Sequence, residues 1–479
     1  MSDRKASAIL AGFAGGAFAL HLATIGLYGY HRDELYLLAC GRHLEWGSVD
    51  HAPITPALSH LATVLLGESA VSQRIVAALA GALVVWLTGL VTRRLGGNLP
   101  AQLLAMASVL IAPVFIFVSG VYTTNAIEQL ACALAVYLTL MALDGSRVAW
   151  LALGIVLGIG VLDKYTVLVF CLALAAAVVA TQARAHLRTP WPYAGAVLAI
   201  LVCLPTILWQ YAHHSPVIDF MRDHHAARLH TVSLAAFFYQ QPVILNPLTF
   251  AVAMAGLVAS LRARGHLRIF GIMFLVAMAV FIASHGKPYY LAPFYPALIA
   301  LGAMVCERHI GSWRLIAIVW VIGGAIAFVC TVPVLPIETA RELGLYRVNE
   351  EFVQFADWHE VVSQIASTYR EADAQAILTD SYGTAAALDR YGREFRLPPA
   401  ISGANGYYMW GPPSDPDSVI AIGYAPELLA TIYRDVSPIG QVRGQFDLDN
   451  QFDFPRVIYR CRGKLATLRD KWPLLRRFD

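Results

Sequence analysis

Long apolar runs set the terms for this chain. Eleven mostly hydrophobic stretches fill residues 1–337, most of them close to the ~20 residues that cross a bilayer as a helix. Charge thins out along the same stretch. Asp, Glu, Lys and Arg number 31 in residues 1–337 and 36 in residues 338–479, about 9% against about 25%. The second figure is that of an ordinary soluble domain. The expected architecture is therefore an α-helical polytopic membrane domain over 1–337, followed by a small α/β domain over 338–479. A net charge of +3 offers nothing to a polyanion, so no nucleic-acid partner is expected. The seven cysteines, at 40, 132, 171, 203, 306, 330 and 461, are widely spaced and include no CxxC pair. Five lie in apolar runs, where a free thiol acts as a small hydrophobe.

The first run follows Arg4 and Lys5 and reaches Leu27. It is too long for a signal-peptide core and reads as a retained span. The others fall near 70–92, 99–118, 124–143, 148–163, 165–182, 191–210, 243–261, 268–284, 289–306 and 313–333. Every loop assigned to the cytoplasm carries at least one cation, among them Arg93, Arg94, Arg147, Arg184, Arg188, Arg262, Arg268, Arg308 and Arg314. By the positive-inside rule the N-terminus is cytoplasmic, and an odd number of spans puts the C-terminal domain outside, in a multi-pass plasma-membrane protein. Two outside loops are long. In the first, 35–46 and 54–66 read as helices lying along the membrane face. The second, 211–242, carries His213, His214, His224, His225 and His230. Adjacent histidines rarely chelate one ion, and no HExxH motif is present, so no metal site is expected. In the tail, strands are expected at Ala376–Thr379, Val419–Ile422 and Val457–Tyr459. Helices are expected at Glu351–Tyr369, Gly383–Tyr391 and Pro426–Tyr433.

With so few charges, those at the outer membrane edge stand out. Asp33 and Glu34 follow the first span among Tyr28, Tyr30, Leu35 and Tyr36. A carboxylate there can take a proton from an attacking hydroxyl or hold a metal, or the pair is a solvated loop feature. Asp50-His51-Ala52-Pro53 can orient a substrate, bind a metal or simply form a turn. Asn125 and Glu128 share one face at the start of the fourth span, and Glu128 is either functional or satisfied by Gln129 or Thr124. Lys164 interrupts the apolar run 148–182, and His285-Gly286-Lys287 precedes Pro288-Tyr289-Tyr290. Two cations beside tyrosines can clamp an anionic head group; the plainer alternatives are snorkelling, or pairing of Lys164 with Asp163. No nucleotide-binding glycine loop appears.

Several segments together resemble the GT-C membrane glycosyltransferases of family 39, which include the protein O-mannosyltransferases and the lipid A aminoarabinose transferase. They are HRDELYLLACGRHLEWGSVDHAPITPALSHL, SQRIVAALAGALVVWLTGLVTRRLGG, YTTNAIEQL, GIGVLDKYTVLVF and HGKPYYLAPFYPALIALGA. The tail segments TDSYGTAAALDRYG, LPPAISGANGYYMWGP and YRCRG resemble a bacterial subgroup. Two departures are visible: Asn125 and then Glu128 stand where many relatives have a second Asp, and Ala52 stands where many have a proline. The resemblance implies sugar transfer from a polyprenyl-phosphate donor to an acceptor hydroxyl at the outer face, with inversion. The acceptor class (lipid, glycan or protein) stays open. Asp33 matches the family's first-loop acid, the expected base, with Glu34 helping to position it or bind the acceptor. Lys164 and Lys287 are expected at the donor phosphate, with Tyr289 and Tyr290 shaping the pocket. His51, Asn125, Glu128 and His285 complete the candidate substrate-binding set. Metal dependence varies within the wider fold, and no cofactor or metal-ligand motif is expected here. The competing function is a transporter or flippase of lipid-linked sugars, which calls for polar residues at several depths. A non-catalytic scaffold is the third.

Overall fold

The computed structural model describes residues 3–229, 233–355, 357–444 and 457–478 together with 455–456. His230 and Ala356 lie outside them, as do 445–454. Sixteen helices make up the apolar part of the described chain. They are α1 (Asp3–Leu22), α2 (Arg32–Arg42), α3 (Ile54–Leu66), α4 (Ala70–Arg94), α5 (Leu99–Leu110), α6 (Pro113–Gly120), α7 (Thr124–Leu143), α8 (Arg147–Asp163), α9 (Val167–Ala180), α10 (Trp191–Ala212), α11 (Pro216–Arg228), α12 (Leu234–Leu245), α13 (Pro247–Arg262), α14 (Arg268–Ala283), α15 (Tyr295–Glu307) and α16 (Trp313–Thr331). Their starts carry local signals. Ser69, Asn98, Ser146 and Ser312 each cap a helix by accepting a backbone N–H, the interaction that satisfies one of the unpaired donors of a first turn.

Among the described residues, six helices are long and apolar enough to cross a membrane, or up to nine if each of three bent helix pairs is one span. Two of the three bends follow from proline and from a left-handed residue. Pro113 opens α6 after a 66° break, and Asn246, at φ 59°, turns the chain by 109° before Pro247. Proline has no N–H to continue the preceding helix and clashes with its last turn. The other two expected spans correspond to α8 and α14, which have 17 and 16 residues. At 1.5 Å per residue these reach about 25 Å, short spans among the described residues.

The ends expected on the cytoplasmic side do gather. Arg93 pairs with Asp3 and Arg94 with Asp144, both at 2.8 Å, and Asn98 donates to Glu307 at 2.9 Å. Glycines let some helices touch backbone to backbone. A Cβ on Gly256 of α13 would run into the Leu298 carbonyl, and one on Gly302 of α15 into the Val252 carbonyl. Small residues play this part widely in membrane helix packing. By contrast α10 and α16 turn Ile200, Leu201, Leu208, Val321, Ile322 and Ile326 outward.

A five-stranded sheet with order β2-β1-β3-β5-β4 forms the C-terminal domain. Its strands are β1 (Ala376–Thr379), β2 (Ala400–Ser402), β3 (Ser418–Ile422), β4 (Tyr433–Val442) and β5 (Arg456–Lys464). β1 runs parallel to β2 and β3, whereas β5 is antiparallel to both β3 and β4. After the short α17 (Ile337–Glu342) and α18 (Leu345–Val348), the sheet is joined by α19 (Trp358–Ala372), α20 (Tyr382–Tyr391), α21 (Asn405–Trp410), α22 (Pro426–Leu429) and α23 (Leu468–Leu475). The three expected strands are present, but two more were not anticipated. β2 has only three residues. β4 is a polar edge strand with an irregularity at Pro438/Gly440; only an edge tolerates such a proline. The helix expected over 351–369 begins at Trp358, after a 3-10 turn, and the one expected over 426–433 stops at Leu429.

The segment 35–46 also departs from expectation. It is helical as α2 only to Arg42, and Glu34 through Gly41 are all buried. Leu35, Tyr36, Leu38, Ala39 and Cys40 share one core with Val362, Ile365, Ala385 and Ala386 of the C-terminal domain. Leu37, on the other side, packs on Ala77, Ala80 and Tyr122. The helix is thus sandwiched between the two domains instead of lying on lipid. α3 does leave Leu61, Val64, Leu65 and Leu66 exposed, the apolar face expected of a helix at a membrane surface.

Candidate functional site

The break after α1 is held by a buried ion pair. His31 caps α2: its Nδ1 accepts the Asp33 N–H at 3.2 Å, and Glu34 accepts the His31 N–H at 2.8 Å. Both Glu34 oxygens also receive Arg74, at 2.8 and 2.7 Å, and Oε1 takes the Tyr122 N–H at 3.0 Å. Arg74 in turn donates to the carbonyls of Ile25, Tyr28 and Gly29. Glu34 is fully buried with both oxygens occupied, so this carboxylate fastens the loop and does not face an open site. Arg74 was not anticipated, although a Ser-Gln-Arg triplet at the head of an apolar run is a visible signal.

Asp33, one residue earlier, points elsewhere. It is half-buried, and its Oδ1 accepts the Tyr382 hydroxyl of α20 at 3.0 Å. Burial pushes this carboxyl up. His31, Arg32, the Tyr382 hydroxyl and Lys287 together outweigh burial and hold it below the usual carboxylate value. A carboxylate stabilised by surrounding cations and a donor stays ionised.

The cations lie on the neighbouring wall. Lys164 caps the end of α8 in extended conformation. Its Nζ donates to Asn125 Oδ1 and, at 3.0 Å, to Glu128 Oε2, while Thr166 donates to Glu128 Oε1. An ammonium has three protons, so one donor remains on Lys164 after those two bonds. The same Nζ stands 5.6 and 5.3 Å from the ring centres of Tyr289 and Tyr290, and Lys287 Nζ is 5.8 Å from Tyr289. Lys287 is exposed and has no ion-pair partner among the described residues. Asn125, Glu128, Lys164, Lys287, Tyr289 and Tyr290 therefore form one cluster, and the charge of Lys287 reaches Asp33. His285, at φ 50°, sits beside this cluster with its ring 5.7 Å from His225.

His51 belongs to a second polar group. Asp50 accepts from Tyr36 at 3.0 Å, Ser48 at 3.3 Å and Asn405 at 3.3 Å, with His51 Nε2 at 3.9 Å. Tyr36 links the two groups, since its ring packs 4.8 Å from that of Tyr382. Asp163 is fully buried and accepts from Thr55, leaving Lys164 to Glu128 rather than to its chain neighbour. Tyr382 and Asn405 come from the other domain; they lie within the tail segments TDSYGTAAALDRYG and LPPAISGANGYYMWGP, but neither is among the expected site residues. Among the described residues no group of three His, Cys, Asp or Glu side chains is placed to hold a metal ion. An apolar groove of about 830 Å³ runs between α8, α9 and α10, with Leu157, Val161 and Ile200 in its walls and Tyr165, next to Lys164, among its polar members.

Residues 50–209 match the family described as dolichyl-phosphate-mannose-protein mannosyltransferase. No curated protein matches the chain in sequence. Among solved structures, the apo form of ArnT from Cupriavidus metallidurans aligns with a TM-score of 0.59 at 15% identity, covering 94% of this chain and 97% of that one. The same protein bound to undecaprenyl phosphate aligns equally well. The arabinofuranosyltransferase AftD from Mycobacteria aligns with a TM-score of 0.50 at 13% identity, covering 97% of this chain and 42% of that one. A helical membrane domain carrying a small α/β domain, aligned nearly end to end with ArnT, has the GT-C fold.

Proposed function

We propose that the protein transfers a sugar from a polyprenyl-phosphate donor to an acceptor hydroxyl at the end of the bundle that carries the C-terminal domain. The observation that supports this best is the meeting of an ionised carboxylate, Asp33, with the Lys164–Lys287–Tyr289–Tyr290 cluster. ArnT, whose fold this chain shares, has been seen with undecaprenyl phosphate. Here Lys287 and the third proton of Lys164 meet the donor phosphate, and the apolar groove beside Tyr165 suits a lipid chain. Asp33 takes the acceptor's hydroxyl proton. The acceptor oxygen then bonds to the anomeric carbon as the bond from that carbon to the phosphate oxygen breaks. The electron pair leaves on the phosphate, where the two lysines stabilise it. Attack opposite the leaving group inverts the anomeric centre. Glu34 is assigned a holding role through Arg74, and Glu128 orients Lys164. The acceptor is a lipid, glycan or protein hydroxyl, and the C-terminal domain lies outside the cytoplasm at the plasma membrane.

The test is transfer of labelled sugar from a polyprenyl-phosphate donor by purified protein, with Asp33→Asn alongside. Loss of a positioned base is expected to lower the rate about 10²–10⁴-fold. Wild-type transfer by Asp33→Asn would remove Asp33 as the base. Absence of transfer together with donor movement across vesicles would replace the enzyme with a transporter. Cysteine labelling of 338–479 from outside intact cells checks the orientation, and labelling only from the cytoplasm would reverse it.

A further inference from the structure

The C-terminal domain reaches Asp33 through Tyr382. Tyr382 is the first residue of α20 and 8% exposed. Arg32 Nη2 donates to its hydroxyl at 2.5 Å, and the Arg32 guanidinium lies 4.2 Å over its ring. The hydroxyl's one proton goes to Asp33 Oδ1 at 3.0 Å. Asp33 Oδ2 has no hydrogen bond among the described residues.

The position of Tyr382 is itself anchored. Ser381 caps α20 by accepting the Thr384 N–H. Asp380, at the end of β1, is held by Arg456 and by Arg477, the latter at 2.5 Å, and its N–H donates to the Ile422 carbonyl. β1 lies between β2 and β3, and the chain visits β2 before crossing back to β3. This is the switch point at whose carboxyl end open α/β sheets place functional groups. That end meets α2: besides Tyr382 on Asp33, the Gly406 N–H after β2 donates to Tyr36 at 2.8 Å.

We propose that Tyr382 is a positioning residue for Asp33, holding Oδ1 so that Oδ2 faces the acceptor hydroxyl, and that the site is complete only with the C-terminal domain seated on α2. This rests on the assignment of Asp33 as base. The charged groups facing Asp33 are His31 (itself paired with Glu351 at 3.2 Å) and Arg32 from its own segment, and Lys287 from the loop before Pro288. Tyr382 is the partner contributed by α20.

The experiment is steady-state transfer from the polyprenyl-phosphate donor by wild type, Asp33→Asn and Tyr382→Phe, each across pH. Phenylalanine keeps the ring packing and removes the hydroxyl that donates to Asp33 and accepts from Arg32. Losing one hydrogen bond to a charged group is expected to lower kcat about tenfold, with donor KM unchanged. The acid limb of the profile should move to higher pH, because Asp33 loses a donor that favours its ionised form. As a second variant, 3-fluorotyrosine at 382 is a stronger donor that leaves the fold intact, and it should move the acid limb to lower pH. A wild-type kcat and acid limb in Tyr382→Phe would overturn the proposal. So would a lower kcat with an unmoved limb, or no shift with fluorotyrosine. Full activity of Asp33→Asn would instead reject the base assignment, a result distinguishable from either.

Discussion

Asp33 and Glu34 are chain neighbours with different partners, and helical geometry separates them. Successive residues on a helix diverge by about 100°. Asp33 therefore faces Tyr382 and the charge of Lys287, while Glu34 faces Arg74 in the interior. Substitution should separate the roles. Glu34→Gln leaves the Arg74 charge buried without its partner, a change that costs about 3–5 kcal/mol in comparable pairs; thermal unfolding in detergent should show it clearly. Asp33→Asn should leave the unfolding midpoint close to wild type and remove transfer. Equal destabilisation by both would mean that Asp33 also serves the fold. Asp33 has its own pH signature. Its carboxyl is held below the usual value, so the base form persists as pH falls. The activity limb due to Asp33 should then lie below the ordinary aspartate value, provided that the protein stays folded in the pH–rate measurement.

At the scale of elements, the apolar runs and the cap and proline signals were legible in the chain, because they depend on local side chains. Ser146 before α8 and Pro113 before α6 act within a turn of where they stand. Bends were harder. The runs 99–118 and 243–261 read as single spans, yet each belongs to a helix pair broken at a proline. Hydropathy is blind to direction, so a broken span and a straight one look alike. α2 was misplaced for a related reason: its apolar residues suit lipid or protein equally, and only the docked domain decides between them. Helix contacts through glycine offer another test. Gly302→Leu should force α13 and α15 apart, where overpacking typically costs about 1–3 kcal/mol. Gly12→Ala in α1, with nothing within 4 Å, should be neutral. Comparable unfolding midpoints for the two variants would deny the close packing of α13 on α15.

The whole molecule is less divided than its composition. The drop in charge suggests a boundary at 337, but α2 lies in the core of the C-terminal domain, and the proposed base takes a hydrogen bond from that domain. Deleting 338–479 should expose Leu35, Leu38 and Ala39 and abolish transfer, and size-exclusion profiles should show aggregation. A monodisperse, active truncation would restore 337 as a functional boundary. By itself, the sequence determined the class of molecule and most of its helices, and it singled out the acid at 33 and the cations at 164 and 287 as candidates. These follow from hydropathy, charge scarcity and the turn-length signals of neighbouring residues. Tertiary structure alone decided that Glu34 is sealed by Arg74, that Lys164 pairs with Glu128 instead of Asp163, and that Tyr382 holds Asp33 across 349 positions of chain. Those choices depend on which surfaces meet when the two domains pack, and no local pattern encodes that meeting.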